Sequence, residues 1–286
     1  MLRRALTPLV LLFLFPPIPS AAAQAVPADL AAERASYAEW LMTAGSSPFA
    51  VLAQRDLRPG VTLGPASADV PLEGMRPARV VERNGVAILE LDGTTRTLPR
   101  WRPVPLGSYR LMVIGSAGQS WLTVSAERPR NPRQPKYFDY AGSLSQLVRL
   151  QPPVRPGEIR LLGPDGQAVV ATEAGTIEVT VAGSRTTLTV RRIPGPGGEE
   201  SDLEVYFRDQ TNGNGSYPAG RFVALIPAGN GQYRLDFNRA RNPSCAYSSV
   251  FACPAPWRGN LIPVPIEAGE TYHGGGLSAT PAQEKD

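Results

Sequence analysis

Arginine, carboxylate and amide side chains are concentrated in one polar segment near the C-terminus, and they define the chemistry open to this chain. The segment contains YFRDQTNGNGSYPAGRF at 206–222 and YRLDFNRARNPSCAY at 233–247. Guanidinium groups beside carboxylates and amides suit the recognition of an anionic or polyhydroxy ligand. The candidate ligand-binding residues are Arg208, Asp209, Thr211, Tyr217, Arg221, Asp236, Asn238, Arg239 and Asn242.

Catalysis would have to depend on carboxylates. The chain has one histidine and two cysteines, too few for a Ser-His-Asp triad, a His-ligated zinc site or a Cys-His nucleophile. Candidates for an acid–base pair, as in glycoside hydrolysis, are Asp209, Asp236, Glu267 and Glu270. A calcium site around Asp209, Asn212 and Asn214 is an alternative, although the sequence lacks the closing glutamate of a calcium loop. We expect no metal and no cofactor.

The same polar residues could instead form a buried hydrogen-bond network. A long loop without regular structure needs side chains to satisfy its backbone groups. Such a network would hold the loop at 209–221 and the C-terminal segment against a sheet. The sequence leaves a scaffold, a binding site and a catalytic site open, with the scaffold favoured.

The N-terminus has the parts of a secretory signal peptide. Arg3 and Arg4 precede an apolar run at 5–15, and small residues at 21–25 fit an A-x-A cleavage site. The apolar run is too short to span a bilayer, although an uncleaved anchor is the alternative. We expect an exported protein, periplasmic or secreted, whose mature chain has no membrane span. An oxidising compartment predicts a disulfide between Cys245 and Cys253, with two free thiols as the alternative.

The hydrophobic pattern predicts an all-β, mainly antiparallel protein with two packed β-subdomains and one N-terminal α-helix. Apolar residues three and four apart predict a helix within 28–44, and we expect its Tyr37 and Trp40 side to pack on the β-subdomain that follows, with a partner-binding helix as the alternative. From residue 48 onward the pattern alternates, and Asp92-Gly93 is typical of a hairpin turn. The predicted organisation is a signal peptide (1–25), an N-terminal helix (26–45), a first β-subdomain (46–126), a Pro/Arg-rich connector (127–157), a second β-subdomain (158–272) and a disordered tail (273–286).

Charge gives no indication of nucleic-acid binding. Without Arg3 and Arg4, 27 basic residues face 25 acidic ones, and the arginines are scattered along the chain. Nucleic-acid binding requires a concentrated basic surface. We therefore expect a partner of another kind, either a small polar or anionic ligand or an envelope protein.

Two resemblances to known families add to this interpretation. The motif order FRDxTxG…Y…GRF, LDFNRAxNPxCA and CP…AGE in 206–270 resembles an uncharacterised prokaryotic family, a domain of unknown function, which implies no activity. The string LRPGVTLGPASADVPL at 57–72 resembles the core of forkhead-associated domains, which implies a similar β-sandwich. Pro65 follows Gly64 where that family has a phosphate-reading arginine, so phosphothreonine binding is not implied. Together these observations favour a non-catalytic binding or envelope-associated protein, with a carboxylate-dependent hydrolase acting on a polyhydroxy or envelope substrate as the alternative.

Overall fold

Antiparallel strands make up most of the regular structure, as the sequence predicts. The structure is a computed structural model that describes residues 24–164, 166, 168–194, 201–254, 257 and 259–272. The all-β expectation is confirmed, with a single α-helix among these residues. The predicted tail (273–286) and nearly all of the predicted signal peptide lie outside the described residues.

The helix, α1 (Ala28–Thr43), matches the predicted range closely. Pro27 precedes its first turn with φ −55°, a backbone angle that already suits a helix start. Leu30 and Leu41 are its buried residues. The rings of Tyr37 and Trp40 stack on each other with centroids 5.6 Å apart.

The first β-unit consists of two sheets that share one hydrophobic core. One sheet pairs its strands in the order β1 (Val51–Asp56), β9 (Gln119–Ala126), β8 (Tyr109–Ser116) and β7 (Val104–Leu106). The other has the order β3 (Val70–Pro71), β2 (Val61–Gly64), β4 (Ala78–Arg83), β5 (Val86–Leu91) and β6 (Thr94–Leu98). Buried residues of both sheets, such as Val80 and Leu111, belong to one cluster. The resemblance to forkhead-associated domains stays a prediction.

The predicted turn at Asp92-Gly93 is confirmed. It joins β5 to β6, and both residues have positive φ, at 51° and 71°. Two positive φ angles match the right-handed twist of a hairpin, and glycine and aspartate adopt them at low cost.

A seven-stranded antiparallel sheet forms the second β-unit. Its strand order is β10 (Ser145–Arg149), β16 (Gln232–Asp236), β15 (Arg221–Gly229), β14 (Ser201–Phe207), β13 (Ser184–Pro194), β12 (Ala168–Val181) and β11 (Glu158–Leu162). Strand β10 lies within the predicted connector, 127–157, and pairs with β16. The predicted domain boundaries stay a prediction.

The seven-stranded sheet curves so that the end of β10, at one edge, meets β12, which lies next to the other edge. Gln151, just after β10, exchanges backbone hydrogen bonds with Thr176 of β12 at 2.8 and 2.9 Å. Alternate residues of β12, Ile177 and Val179, point into the core enclosed by this curl, since successive strand residues face opposite sides. Ile266 and Ala268, from the segment after Trp257, belong to the same core, so the chain's C-terminal segment covers it.

The two β-units meet at a smaller cluster of apolar residues. Val51 of β1 packs in this cluster with Tyr217, Cys245 and Phe251. Three short 3-10 helices complete the regular structure of the described residues, at Gly142–Leu144, Phe237–Arg239 and Ser244–Ala246. Among the described residues, no helix has both the length and the apolar character needed to cross a membrane.

Candidate functional site

Arg221 and Asp209, two sequence-predicted site residues, form a fully buried ion pair. Arg221 Nη2 lies 2.9 Å from Asp209 Oδ2, and both side chains have 0% exposure. The same guanidinium donates to the backbone oxygens of Ile266 and Ala268. Desolvation lowers the pKa of Arg221, and the Asp209 carboxylate opposes that effect. Arg221 thus holds the C-terminal segment against the start of β15.

The second carboxylate oxygen of Asp209 organises the polar loop that follows β14. It accepts hydrogen bonds from the backbone nitrogen and the hydroxyl of Thr211 and from the backbone nitrogen of Ile266. Asn212 extends this network through its side chain to Tyr217 O at 2.7 Å. The side chains of Asp209 and Asn212, two of the three residues proposed as calcium ligands, therefore satisfy backbone groups of the loop and of the C-terminal segment. Among the described residues, no cluster of three or more His, Cys, Asp or Glu side chains is placed to hold a metal ion.

Asp236 and Asn238 form a second buried network, at the end of β16. Asp236 Oδ1 accepts hydrogen bonds from the backbone nitrogen and the side-chain amide of Asn238, which caps the short helix there. Asn238 also bonds both backbone groups of Ala141, at 2.9 and 3.0 Å. These side chains hold in place the segment that leads into β10.

Arg239 joins this network to α1. Its guanidinium contacts Asp29 and Glu33 of the helix, and its Nε lies 3.5 Å from Asp236 Oδ2. Next to it, Arg34 donates to the backbone oxygen of Asn238 at 2.9 Å. The helix is therefore bound to the C-terminal half through its charged side.

The expectation that α1 packs its Tyr37 side on the first β-subdomain is wrong. The Tyr37 hydroxyl lies 3.2 Å from that of Tyr247, and the Arg241 guanidinium stands 5.2 Å above the Tyr37 ring. The physical reason is that two acidic side chains of the helix, Asp29 and Glu33, pair with Arg239. The spacing of apolar residues carries no information about such ion pairs.

Glu270, one of the four candidate catalytic carboxyls, is buried, with 1% of its surface exposed. It accepts hydrogen bonds from the Tyr247 hydroxyl and from the backbone nitrogen of Asn242. Desolvation raises the pKa of Glu270 to about 7, although these hydrogen bonds and the nearby Arg241 oppose the effect.

A shallow cleft, largely open to solvent, lies between α1 and the C-terminal half. Its lining residues are Leu30, Glu33, Arg34, Tyr37, Tyr137, Asn238, Arg239 and Arg241, and we call it the α1 cleft. Arg34 stands 4.1 Å above the ring of Tyr137, so two arginine–tyrosine pairs border the cleft. Tyr137 is connected to Glu270 through a backbone bridge.

The predicted cysteine pair occurs in the structure at disulfide-bonding distance. The Cα atoms of Cys245 and Cys253 are 5.5 Å apart. The Tyr217 hydroxyl lies 3.3 Å from one sulfur and 3.2 Å from the other. The pair therefore sits in the cluster that joins the two β-units.

The structure separates the sequence-predicted residues into groups with different environments. Asp209, Thr211, Tyr217 and Arg221 are buried around the polar loop, and Arg208 and Glu267 are exposed. Asn238 and Arg239 border the α1 cleft. Its other charged and aromatic residues were not among the candidates; they are Glu33, Arg34, Tyr37, Tyr137 and Arg241. Arg34 and Tyr37 lie three residues apart on the helix, a spacing visible in the sequence, whereas Tyr137 joins them only through folding.

Comparison with known proteins gives a match to a family model over part of the chain and no activity. No curated protein matches the chain. A solution NMR structure of an uncharacterised protein from Haloarcula marismortui is 29% identical, covering 49% of this chain and 76% of the other, with a TM-score of 0.42. Residues 133–271 match the model of a family described as "Protein of unknown function (DUF1684)", which supports the expected place of the C-terminal half in an uncharacterised family.

Proposed function

We propose that this is an exported, non-catalytic binding protein of the cell envelope, and that the α1 cleft holds a small anionic ligand. The observation that carries the proposal is the pair of guanidinium groups, Arg34 and Arg241, that border one cleft on tyrosine rings. In the part of the chain that the structure describes, neither guanidinium is hydrogen-bonded or ion-paired to a carboxylate.

Two other arginines show the contrast: Arg221 is buried and Arg239 half-buried, whereas Arg34 is partly buried and Arg241 exposed. Arg221 and Arg239 contact carboxylates of the protein itself, so their charges are already balanced. Arg34 is partly buried, and desolvation lowers its pKa, although the charges of Tyr137, Asp236 and Glu33 oppose the effect. An anion beside Arg34 would add a directly hydrogen-bonded partner of the kind that Arg221 has in Asp209.

Unsatisfied polar atoms next to the cleft support the same proposal. Arg34 Nε and Arg239 Nε, on two residues that line the cleft, are buried and have no hydrogen-bond partner among the described residues. Buried polar atoms are rarely left unpaired in folded proteins, so such a group of atoms favours a bound molecule or water at the site. Stacking on tyrosine also holds each guanidinium in place before a ligand arrives, which reduces the entropy that binding must overcome.

The size of the α1 cleft limits the ligand. Its enclosed part is about 10 Å³, room for roughly one water molecule, and the rest of the cleft opens to solvent. A sulfate, a phosphate or a carboxylate group would therefore bind at the open mouth of the cleft, and arginine binds each of them through paired N–H donors. We therefore place a single small oxyanion, or the anionic group of a larger molecule, between Arg34 and Arg241.

The surroundings of the carboxylates favour binding over hydrolysis. Acid–base hydrolysis of glycosides needs two carboxyl groups that flank an open space. Asp209 and Asp236 are occupied by structural hydrogen bonds, Glu270 is buried and Glu267 is exposed. The hydrolase alternative therefore gains no support from this arrangement.

Export rests on the sequence pattern at 1–25 and on the cysteine pair. We expect the protein from the exported fraction to have a mass that corresponds to cleavage near Ala25. A thiol assay on the same protein after unfolding should find no free cysteine. An intact N-terminus together with two reactive thiols would contradict export.

The binding proposal is tested by a thermal-shift screen of the protein against sulfate, inorganic phosphate, acetate and succinate at constant ionic strength. A ligand that binds only the folded state raises the melting temperature by mass action. We expect at least one anion to raise it, and the rise to be lost in the double variant Arg34→Gln with Arg241→Gln. Arg149→Gln, which removes an exposed arginine on β10, is the matched control and should keep the rise. A rise that the double variant retains, or no rise with any anion, would contradict the proposal.

A further inference from the structure

Glu270 lies directly behind the α1 cleft, and its position carries a second inference that rests on the proposed function. We infer that the cleft takes its anion together with one proton, which is received by the carboxyl group of Glu270. The proton comes from solvent and bonds to a carboxylate oxygen, so that a neutral acid replaces a buried negative charge.

A chain of hydroxyl groups connects Glu270 to the cleft. The Tyr247 hydroxyl donates to Glu270, and it lies 3.2 Å from the hydroxyl of Tyr37. Tyr37 lines the cleft directly. The two hydroxyls can therefore pass a proton between the cleft and a carboxyl that has almost no contact with solvent.

The charged groups around Glu270 determine the direction of the coupling. Arg241 and Arg221 are cations that stabilise its ionised form, and Arg221 also donates a hydrogen bond to its backbone oxygen. Tyr247, Tyr37 and Tyr137 also face it, and burial raises the pKa of each hydroxyl, so all three stay neutral near neutral pH.

An anion in the cleft would compete with Glu270 for the charge of Arg241. Two negative charges near one guanidinium repel each other, and the burial of Glu270 strengthens the repulsion although Arg241 itself is exposed. Protonation of Glu270 removes it. Because burial already places the pKa of Glu270 at about 7, this protonation needs little free energy near neutral pH.

The experiment measures the affinity of sulfate by isothermal titration calorimetry between about pH 6 and about pH 8, a range in which sulfate itself does not titrate. We expect the affinity to fall by about three- to tenfold for each pH unit above neutrality, the upper value corresponding to uptake of one full proton. Titrations of the unaltered protein in buffers of different ionisation enthalpy should show that uptake directly. This second measurement does not depend on any variant folding correctly.

Two controls assign the proton to Glu270. Glu270→Gln resembles the protonated acid, so its sulfate affinity should be independent of pH, whereas exposed Glu267→Gln should behave like the unaltered protein. His273, the single histidine, titrates in the same range by its type, and His273→Gln should leave the pH dependence in place.

The outcomes separate this inference from the proposed function. Sulfate binding with no proton uptake and no pH dependence would overturn the inference alone. Absence of sulfate binding at every pH, together with absence of binding by the other anions of the screen, would overturn the proposed function and this inference with it.

Discussion

At the scale of single residues, Arg221 and Arg34 show how one side-chain type serves two purposes. Arg221 is fully buried, and Asp209 together with backbone oxygens of the C-terminal segment balances its donors. Arg34 rests on an aromatic ring at the border of a cleft. The first arrangement stabilises a fold, and the second leaves donors available to a ligand.

The buried pair makes Arg221→Ala strongly destabilising. The substitution leaves the Asp209 carboxylate buried without its cation, and such losses cost about 3–5 kcal/mol of the free energy of unfolding. Urea denaturation measures this loss. Arg185→Ala is the matched control, because Arg185 pairs with Glu178 at side-chain exposures of 71% and 56%, and exposed pairs contribute about 0–1 kcal/mol. Equal losses in the two variants would show that Asp209 and Arg221 do not form a buried pair.

The residue types in the sequence indicated a polar network, but not which of its residues are buried and which are exposed. Arg208, Asp209 and Arg221 lie in one motif, yet Arg208 is exposed while the other two form the buried pair. Alternation along a strand shows which residues share a face of the sheet. It does not show which face a later segment of the chain will cover. Tyr137 and Arg34 are far apart in the chain, so their stacking was not accessible to reasoning from local spacing.

At the scale of elements, the helix and many strands follow from local patterns, whereas their partners do not. Apolar spacing located α1, and alternation located β12 and β16. The placement of α1 depends on contacts from Asp29 and Glu33 to Arg239, more than 200 residues away. Closure of the second sheet likewise depends on one long-range pairing, between Gln151 and Thr176.

Gly175 permits that closure, so Gly175→Ala should open it. Its φ is +139°, and an added Cβ would lie 2.1 Å from the backbone oxygen of Gln151. We expect a loss of about 1–3 kcal/mol from backbone strain, together with faster amide hydrogen exchange at Thr176. Gly157→Ala is the control, because an added Cβ there has no neighbour within 4 Å and its φ is not positive. If Gly175→Ala is as stable as Gly157→Ala, the two strands do not approach each other as described.

At the scale of the whole molecule, Glu270 should make stability depend on pH. Its pKa in the folded protein, about 7, lies above its ordinary value of 4.5, because burial disfavours the charged form. Its contribution to stability is therefore complete below about pH 4.5 and is lost as the pH rises through about 7. The loss is on the order of 3 kcal/mol.

Denaturant titrations across this range measure the effect as a difference between proteins. The unaltered protein should lose stability relative to Glu270→Gln as the pH rises, while Glu267→Gln should follow the unaltered protein. If the free energy of unfolding changes with pH in the same way for the unaltered protein and Glu270→Gln, Glu270 is not a buried carboxyl group with a raised pKa.

The most direct test of the central claim is the affinity of the α1 cleft for the best anion of the screen, measured by isothermal titration calorimetry at constant ionic strength. We predict one site per chain. Its affinity for the anion should fall about tenfold or more in Arg34→Gln and again in Arg241→Gln, since each substitution removes charged hydrogen bonds to the anion. Arg149→Gln should change the affinity by less than about twofold, because dissolved salt screens the effect of an exposed charge that lies outside the site. An affinity unchanged in both cleft variants would contradict the claim that α1 and the C-terminal half together form a ligand site.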